Sequence, residues 1–350
     1  MGKKEILANL LYRSRLLRPA AFLSARSILI LTYHRIRPDG PIDARNEPFD
    51  EKVFGPSQSQ FASQVKWLKE NFEVLSEDAL LSALRERKPF RSRFAAITFD
   101  DGYRDNYTLA YPVLRAHAVP AIFFVCPGLI ESRKVGWWDS IAYLIKRCKL
   151  PTITIHGKSL PMGAEKEAAI AELTSWMKLR PYSETADLVP ELAAASEVDL
   201  PDPGLQDEQF MTWEQIREVS QNAVAIGSHT FSHRVLGTLD EPSQEWELRE
   251  SRVALESHLN RPIRTLAYPV GGYEHFSPQT MRIAKTAGYE CAFSAQTGHN
   301  LPDLHPFNVR RIVCRDEFDP LFACSTLLPS IFSWLRPMPA SHRIALDDPS

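Results

Sequence analysis

The sequence predicts an α/β chain of parallel βα units interrupted by one helical insertion. Three observations predict it. Short apolar runs rich in β-branched residues recur and stop at polar residues, as in Ile28–Tyr33 before His34 and in residues 95–97 before Asp100. Stretches with apolar residues at helical spacing lie between these runs, and strands that alternate with helices suggest parallel pairing. From about residue 132 to 208 the alternation stops, and one helical piece follows another.

The elements follow in order. Residues 1–26 carry Lys3, Lys4, Arg13, Arg15, Arg18 and Arg26 against Glu5 alone. A secretory signal needs an unbroken apolar stretch of about 7–15 residues after its basic start, and here arginines interrupt it. Ile6, Leu7, Leu10, Leu11 and Leu17 fall near helical spacing, which predicts a basic amphipathic helix over residues 1–27. Ile28–Tyr33 reads as a buried first strand and residues 40–55 as loop. Phe61, Val65 and Leu68 mark a helix. Residues 71–75, a helix near 77–86, the strand ending at Asp100, a helix over 106–117 and a strand over 120–125 follow. The insertion holds helical pieces at 138–149, 164–178 and 183–195 and ends in the loop-rich 200–204. The βα rhythm resumes with a helix at 212–222 and a strand from Val224 to the vicinity of His229. Next come a helix at 243–259, a strand at 265–268, a helix at 278–287 and strands near Cys291 and over 309–313. About seven strands result. Residues 28–325 are read as the main body, and 326–350, where Pro and Ser recur, as a tail without its own core.

Composition narrows the function. With 350 residues the chain can form one α/β barrel or two smaller domains. The net charge of −2 gives no reason to expect a nucleic-acid partner. The 5 cysteines are scattered and odd in number, without a C-x-x-C pair, so a reducing, cytoplasmic compartment is expected rather than a disulfide framework. No apolar run approaches the roughly 18 residues of a membrane span.

Two segments carry chemistry: Thr98-Phe99-Asp100-Asp101-Gly102-Tyr103 and Ser228-His229-Thr230-Phe231-Ser232-His233. Each follows a predicted strand, and loops at the C-terminal ends of parallel strands are where barrel enzymes build their sites. One carboxylate and two imidazoles form a three-ligand set for a zinc-like ion with an open position, and a second carboxylate beside them is a ready general base. Cobalt, nickel or manganese would accept the same donors. Within a strand Asp100 and Asp101 would face opposite sides, but a turn through Gly102 lets both point into one pocket. His229 and His233 share a face if their turn is helical. The pattern is not the H-E-x-x-H of metalloproteases, and Asp100-Asp101-Gly102 lacks the alternating oxygens of a calcium loop.

The two segments together resemble the first and second motifs of the polysaccharide deacetylases, metal-dependent carbohydrate esterases that include chitin, peptidoglycan and nodulation-factor deacetylases. Ala267-Tyr268-Pro269-Val270-Gly271-Gly272 is similar to the third motif. The resemblance implies a distorted (β/α)7 barrel with a helical insert, and N-deacetylation of an amino sugar in a polysaccharide or lipid-linked glycan. It makes Asp100 the general base, Asp101, His229 and His233 the metal ligands, and the backbone at Val270 an oxyanion donor. Two departures stand out. Ala267 occupies the position of an arginine that often pairs with the catalytic aspartate. Residues 308–313, Asn-Val-Arg-Arg-Ile-Val, lack the histidine that serves many members as general acid. His34, His299 and His305 are the nearby alternatives, with solvent as the other proton source. The alternative functions are a silent glycan-binding relative and a deacetylase or deformylase of a small sugar conjugate.

Further candidates carry two readings each. His34 either lines the pocket or packs locally. Trp137, Trp138 and Asp139 either contact substrate, the tryptophans as stacking faces, or belong to the core. Tyr268 is a substrate wall or a core residue. The basic, leucine-striped residues 3–18 either rest on the cytoplasmic face of a membrane or close the first-strand edge of the barrel.

Overall fold

The computed structural model describes residues 3–17, 27–40, 49–50, 53–86, 88, 90–314 and 319–328. Its strands are β1 (Ile28–Tyr33), β2 (Arg35–Arg37), β3 (Phe54–Ser57), β4 (Glu73–Val74), β5 (Phe94–Phe99), β6 (Ala121–Val125), β7 (Thr152–Ile155), β8 (Lys158–Pro161), β9 (Val224–Ser228), β10 (Thr265–Ala267), β11 (Cys291–Phe293) and β12 (Ile312–Val313). One parallel sheet runs β11-β10-β9-β6-β5-β1-β12, with β4 paired to the start of β5. Its two ends approach through a bridge between Phe293 and Val309, which curls the sheet into a distorted seven-strand barrel surrounded by helices.

The strands are apolar throughout because both of their faces are covered. Alternation assigns the faces. Ile28, Ile30, Ala96, Ile122, Phe124, Phe293 and Val309 pack together inside the barrel. Leu29, Leu31, Tyr33, Ile97 and Phe99 pack outward with Phe61, Val65 and Leu68 of the helix Gln58–Asn71. The same period-2 rule continues the inner rows upward, from Ile28 and Ile30 to Thr32 and His34, from Ala96 to Thr98 and Asp100, and from Val309 to Arg311. The upper interior is therefore polar where the lower interior is not.

The insertion has its own small core, built from Ile141, Leu144, Ile145, Ile153, Ile155, Leu160, Ile170, Leu173 and Leu192 among others. Its helices include Trp137–Arg147, Lys166–Leu179 and Leu188–Ser196. It also contains an antiparallel hairpin, β7–β8, where the sequence pattern predicts only helical pieces. Thr152-Ile153-Thr154-Ile155 alternates exposed and buried residues. His156 and Gly157 both take positive φ, 48° and 75°, the left-handed pair that a tight two-residue hairpin requires.

At the N-terminus, the predicted helix is Lys3–Arg13. It lies against the helix Pro320–Leu327, where Cys324 Sγ contacts the Ala8 carbonyl at 3.7 Å. Leu327 and Leu328 are buried in the core between the sheet and its surrounding helices, while the rest of the expected tail, 329–350, lies outside the described residues. All five cysteines are free and buried. No described helix is long and apolar enough to cross a membrane.

Candidate metal centre and catalytic cleft

Strand register brings the polar residues together. Tyr33 is level with Phe99, and the Asp100 N–H donates to the Tyr33 carbonyl at 2.9 Å, so His34 and Asp100 emerge side by side. On the neighbouring strand, the His229 N–H donates to the Val125 carbonyl at 3.0 Å and extends the β6–β9 ladder by one residue. Asp101 and Gly102 take φ of 73° and 78°, a reversal that leaves both Asp100 and Asp101 buried and facing one cavity of about 950 Å³.

The second histidine arrives by a different route than helical spacing. The segment after His229 is irregular, with Thr230 and His233 at φ of 63° and 60°. The His233 N–H donates to Thr230 Oγ1 at 3.1 Å, and the Ser232 N–H donates to Oε2 of the buried Glu247 at 2.9 Å. This fold-back sets the two imidazole rings 4.9 Å apart. Non-glycine residues at positive φ are uncommon and store strain. Asp101, His233 and Val270, which line the cleft, all sit there, as does Thr230 between the two histidines. Val270 is the centre of a three-residue turn in which the Gly271 N–H donates to the Pro269 carbonyl at 2.6 Å, the strained hand of that turn.

The donor atoms fit a cation. Asp101 Oδ1 lies 3.3 Å from His229 Nε2 and 3.1 Å from His233 Nε2, and it has no hydrogen-bond partner although it is buried. His229 Nδ1 stands 2.8 Å from the Ala267 carbonyl oxygen. A carbonyl only accepts, so Nδ1 carries the proton and Nε2 turns its lone pair toward Asp101. A lone pair facing a carboxylate oxygen is unfavourable unless a proton or a metal ion stands between them. The three ligand atoms lie within 4.8 Å of one another, which suits a single ion.

Asp100 has a different environment. Arg311, only 1% exposed, meets it with two parallel hydrogen bonds, Nη1 to Oδ1 at 2.6 Å and Nη2 to Oδ2 at 2.8 Å. The guanidinium is itself held, with Nε donating to the Ser294 carbonyl at 2.9 Å and Nη1 to Thr32 Oγ1 at 3.1 Å. Burial by itself would push the Asp100 carboxyl up. The Arg311 cation, with His229 and His34, brings it below its ordinary value, so it is ionised at neutral pH. His34 lines the same cavity, and there burial prevails over the Asp101 and Asp100 carboxylates and lowers its pKa.

The remaining candidates separate. Trp138 packs against His233 with ring centroids 4.2 Å apart and ring planes inclined at 51°, and Trp137 Nε1 donates to the His233 carbonyl at 3.2 Å. Both border the cavity, Trp138 while almost fully buried. Asp139 does not reach it. Fully buried, it accepts from the Asp50 N–H at 3.1 Å and from the Tyr103 hydroxyl at 2.9 Å, and that hydroxyl accepts from Trp138 Nε1 at 2.6 Å. Tyr268 is also fully buried, its hydroxyl donating to the Phe307 carbonyl at 3.0 Å. His299 lies beside Ser27, with Nδ1 2.7 Å from Ser27 Oγ, at the start of β1 and so at the opposite end of the barrel. His305 accepts the Phe307 N–H at 3.1 Å and does not border the cavity.

Burial pushes the Asp139 carboxyl up to about 7. A carboxyl raised on folding holds a proton in the native state that the unfolded chain has already released. Stability should therefore be full below the unfolded value near 4 and fall as pH rises toward 7. Asp139→Asn is expected to flatten the dependence of Tm on pH across that window, and an unchanged slope would assign the titration elsewhere.

Arg311 and the insertion helix stand out among the contributors to the cleft that have no counterpart among the sequence-predicted site residues. Arg311 lies within residues 308–313, where the sequence assigns it no role. The insertion helix Lys166–Leu179 supplies Thr174, Ser175, Lys178 and Leu179 to the cavity, facing Glu274 and His275 of the loop after β10. Thr174, Ser175 and Lys178, polar positions within that helix, are the only trace of this in the sequence.

A family profile described as polysaccharide deacetylase matches residues 87–292. The chain belongs to the polysaccharide deacetylase family. The family takes its name from the removal of acetyl groups from polysaccharides. YxkH of Bacillus subtilis strain 168, named for the same family, is 23% identical over 257 residues, 73% of this chain and 64% of its own. The poly-beta-1,6-N-acetyl-D-glucosamine N-deacetylase of Staphylococcus aureus is 36% identical over 126 residues, 33% of this chain and 41% of its own. The match thus spans less than two thirds of either relative. Among solved structures, Streptococcus pyogenes deacetylase PplD in complex with acetate superposes with a TM-score of 0.57 at 20% identity, covering 87% of this chain and all 100% of that one. IcaB from Ammonifex degensii gives 0.54 at 20% identity, covering 89% and 97%. These two likenesses establish the deacetylase barrel fold.

Proposed function

We propose that the protein hydrolyses the N-acetyl group of an amino sugar in a polysaccharide or lipid-linked glycan, releasing acetate and leaving a free amine. The observation that supports this most is the division of labour between adjacent aspartates. Asp100 is held ionised by Arg311, outside the Asp101–His229–His233 donor set. Those three residues would hold one divalent ion, zinc by donor type, with cobalt, nickel or manganese able to use the same set. Such an ion, when bound, lowers the pKa of water and polarises a carbonyl oxygen.

The chain's own groups do the rest. Asp100 takes the proton of the attacking water. The backbone N–H of Val270, on its strained turn at the cleft edge, is offered to the developing oxyanion. Of the three candidate histidines only His34, half-buried, borders the cavity; with its lowered pKa it is neutral at rest, and it would relay to the leaving amine, as the C–N bond breaks, the proton that Asp100 takes from water. Trp137 gives the cleft an aromatic face for a sugar ring. The kinship with the S. aureus enzymes motivates β-1,6-linked N-acetylglucosamine oligomers as the first substrate to try.

Acetate release from β-1,6- and β-1,4-linked N-acetylglucosamine oligomers, with zinc added, tests the reading. Asp100→Asn should keep its zinc and lose activity by about 10²-fold or more, the usual worth of a general base. Loss of zinc together with activity would make Asp100 a ligand instead. Zinc binding without acetate or formate release from any acylated sugar would overturn the proposal in favour of a silent glycan-binding protein.

A further inference from the structure

The helix Lys3–Arg13 presents two unlike faces. On one, Ala8 is fully buried, Leu11 packs on the barrel core, and the Tyr12 ring lies 6.2 Å from that of Trp67. The other is uncovered. Ile6 is 53% exposed, Leu10 65% and Leu16, just past the helix, 56%. Leu7 is 41% exposed. Ile6, Leu10 and Arg13 share one side by helical spacing. Of the 10 exposed large apolar side chains among the described residues, 5 fall between positions 6 and 16. Exposed apolar residues scattered singly are ordinary, but a cluster on one element marks a contact surface.

Charge selects the occupant. Residues 1–26 hold 6 basic residues and 1 acidic residue in a chain whose net charge is −2. Arg13 and Arg15 are exposed beside the apolar cluster. We infer that this face docks on an anionic lipid surface, with Ile6, Leu10 and Leu16 entering the acyl boundary and the arginines at the headgroups. A second copy of the chain fits less well. A stable protein interface needs about 800 Å² from each partner, and a three-turn helix roughly 16 Å long offers far less on one face. A twofold contact would also oppose like charges. The described helix, at 11 residues, is shorter than the about 20 apolar residues that a transmembrane helix needs. The inference is independent of the catalytic reading.

Vesicle flotation of the full chain decides it. In low salt the protein should float with phosphatidylglycerol–phosphatidylcholine vesicles and remain unbound with phosphatidylcholine alone. Each basic residue at an anionic leaflet is worth roughly fivefold in partition, so Arg13→Gln/Arg15→Gln should weaken binding by about 25-fold. Ile6→Gln/Leu10→Gln should weaken it at least as much. Both pairs lie on the exposed face, so far-UV circular dichroism, Tm and acetate release should stay at wild-type values. Three results would overturn the inference: no flotation in low salt, flotation of both variants equal to wild type, or a concentration-dependent dimer that Ile6→Gln/Leu10→Gln disperses.

Discussion

Arg311→Met is expected to cost both stability and turnover. The guanidinium is the only cationic side chain bonded to Asp100 among the described residues, and both groups of the pair are almost fully buried at the wall of the cavity. Removing one partner of a buried pair leaves an uncompensated charge, a loss of roughly 3–5 kcal/mol. Asp100 can avoid that cost by taking up a proton, but a protonated carboxyl is no base, and turnover should fall by about 10²-fold or more. Arg311→Lys should land between the two. It retains the charge but not the planar fork that meets both carboxylate oxygens. The double variant Arg311→Met/Asp100→Asn should regain much of the stability and none of the activity, because the two residues act as one unit. Urea denaturation and acetate release on the four proteins test the set. Wild-type stability and turnover in Arg311→Met would remove the arginine from the site.

His229→Ala is expected to abolish tight zinc binding while leaving the barrel folded. It deletes the imidazole whose lone pair the Ala267 carbonyl aims at Asp101. In the wild type, a ligand that binds only the native state at 100 times its Kd stabilises by about 2.7 kcal/mol, so added zinc should raise Tm by several degrees. The variant should show no such rise, no zinc stoichiometry by calorimetry, and an unchanged far-UV spectrum. Acetate release should fall to background. An undiminished zinc stoichiometry in the variant would place the metal elsewhere. Equal loss of helix content would make His229 structural.

Several features are legible in the chain because they are local. Ile28–Tyr33, Phe94–Phe99 and Ala121–Val125 declare buried parallel strands, since cover on both faces leaves a continuous apolar run. Asp101, His229 and His233 declare a candidate metal site, with Asp100 beside it, because their residue types and strand-end positions already contain its chemistry. The hairpin over residues 152–161 is equally local, with its period-2 pattern and His-Gly turn, but its short strands are masked by helical neighbours. Trp138-Asp139 shows the limit of composition. Adjacent on one helix, they part company, Trp138 onto His233 and Asp139 into a buried network with Tyr103 and Asp50.

By itself the sequence determined the order of the barrel strands and their helices, the Asp-His-His set with a second aspartate beside it, and the apolar stripe of the first helix. Tertiary structure alone decided which cation faces Asp100. The third motif offers Ala267 where an arginine was expected, and Arg311, just before β12 and 211 positions from Asp100 along the chain, answers instead. It can do so because β12 pairs with β1, Leu31 level with Ile312, which turns residue 311 into the barrel beneath Thr32 and Asp100. Shifting that register by one residue would send the side chain outward, and nothing in the local sequence of either strand specifies their pairing. The same holds for the helix Lys166–Leu179, whose contribution to the cleft depends on how the insertion packs back over the barrel mouth. A side chain's identity is written in the chain, whereas its partner is set by which surfaces the folded core brings within hydrogen-bonding reach.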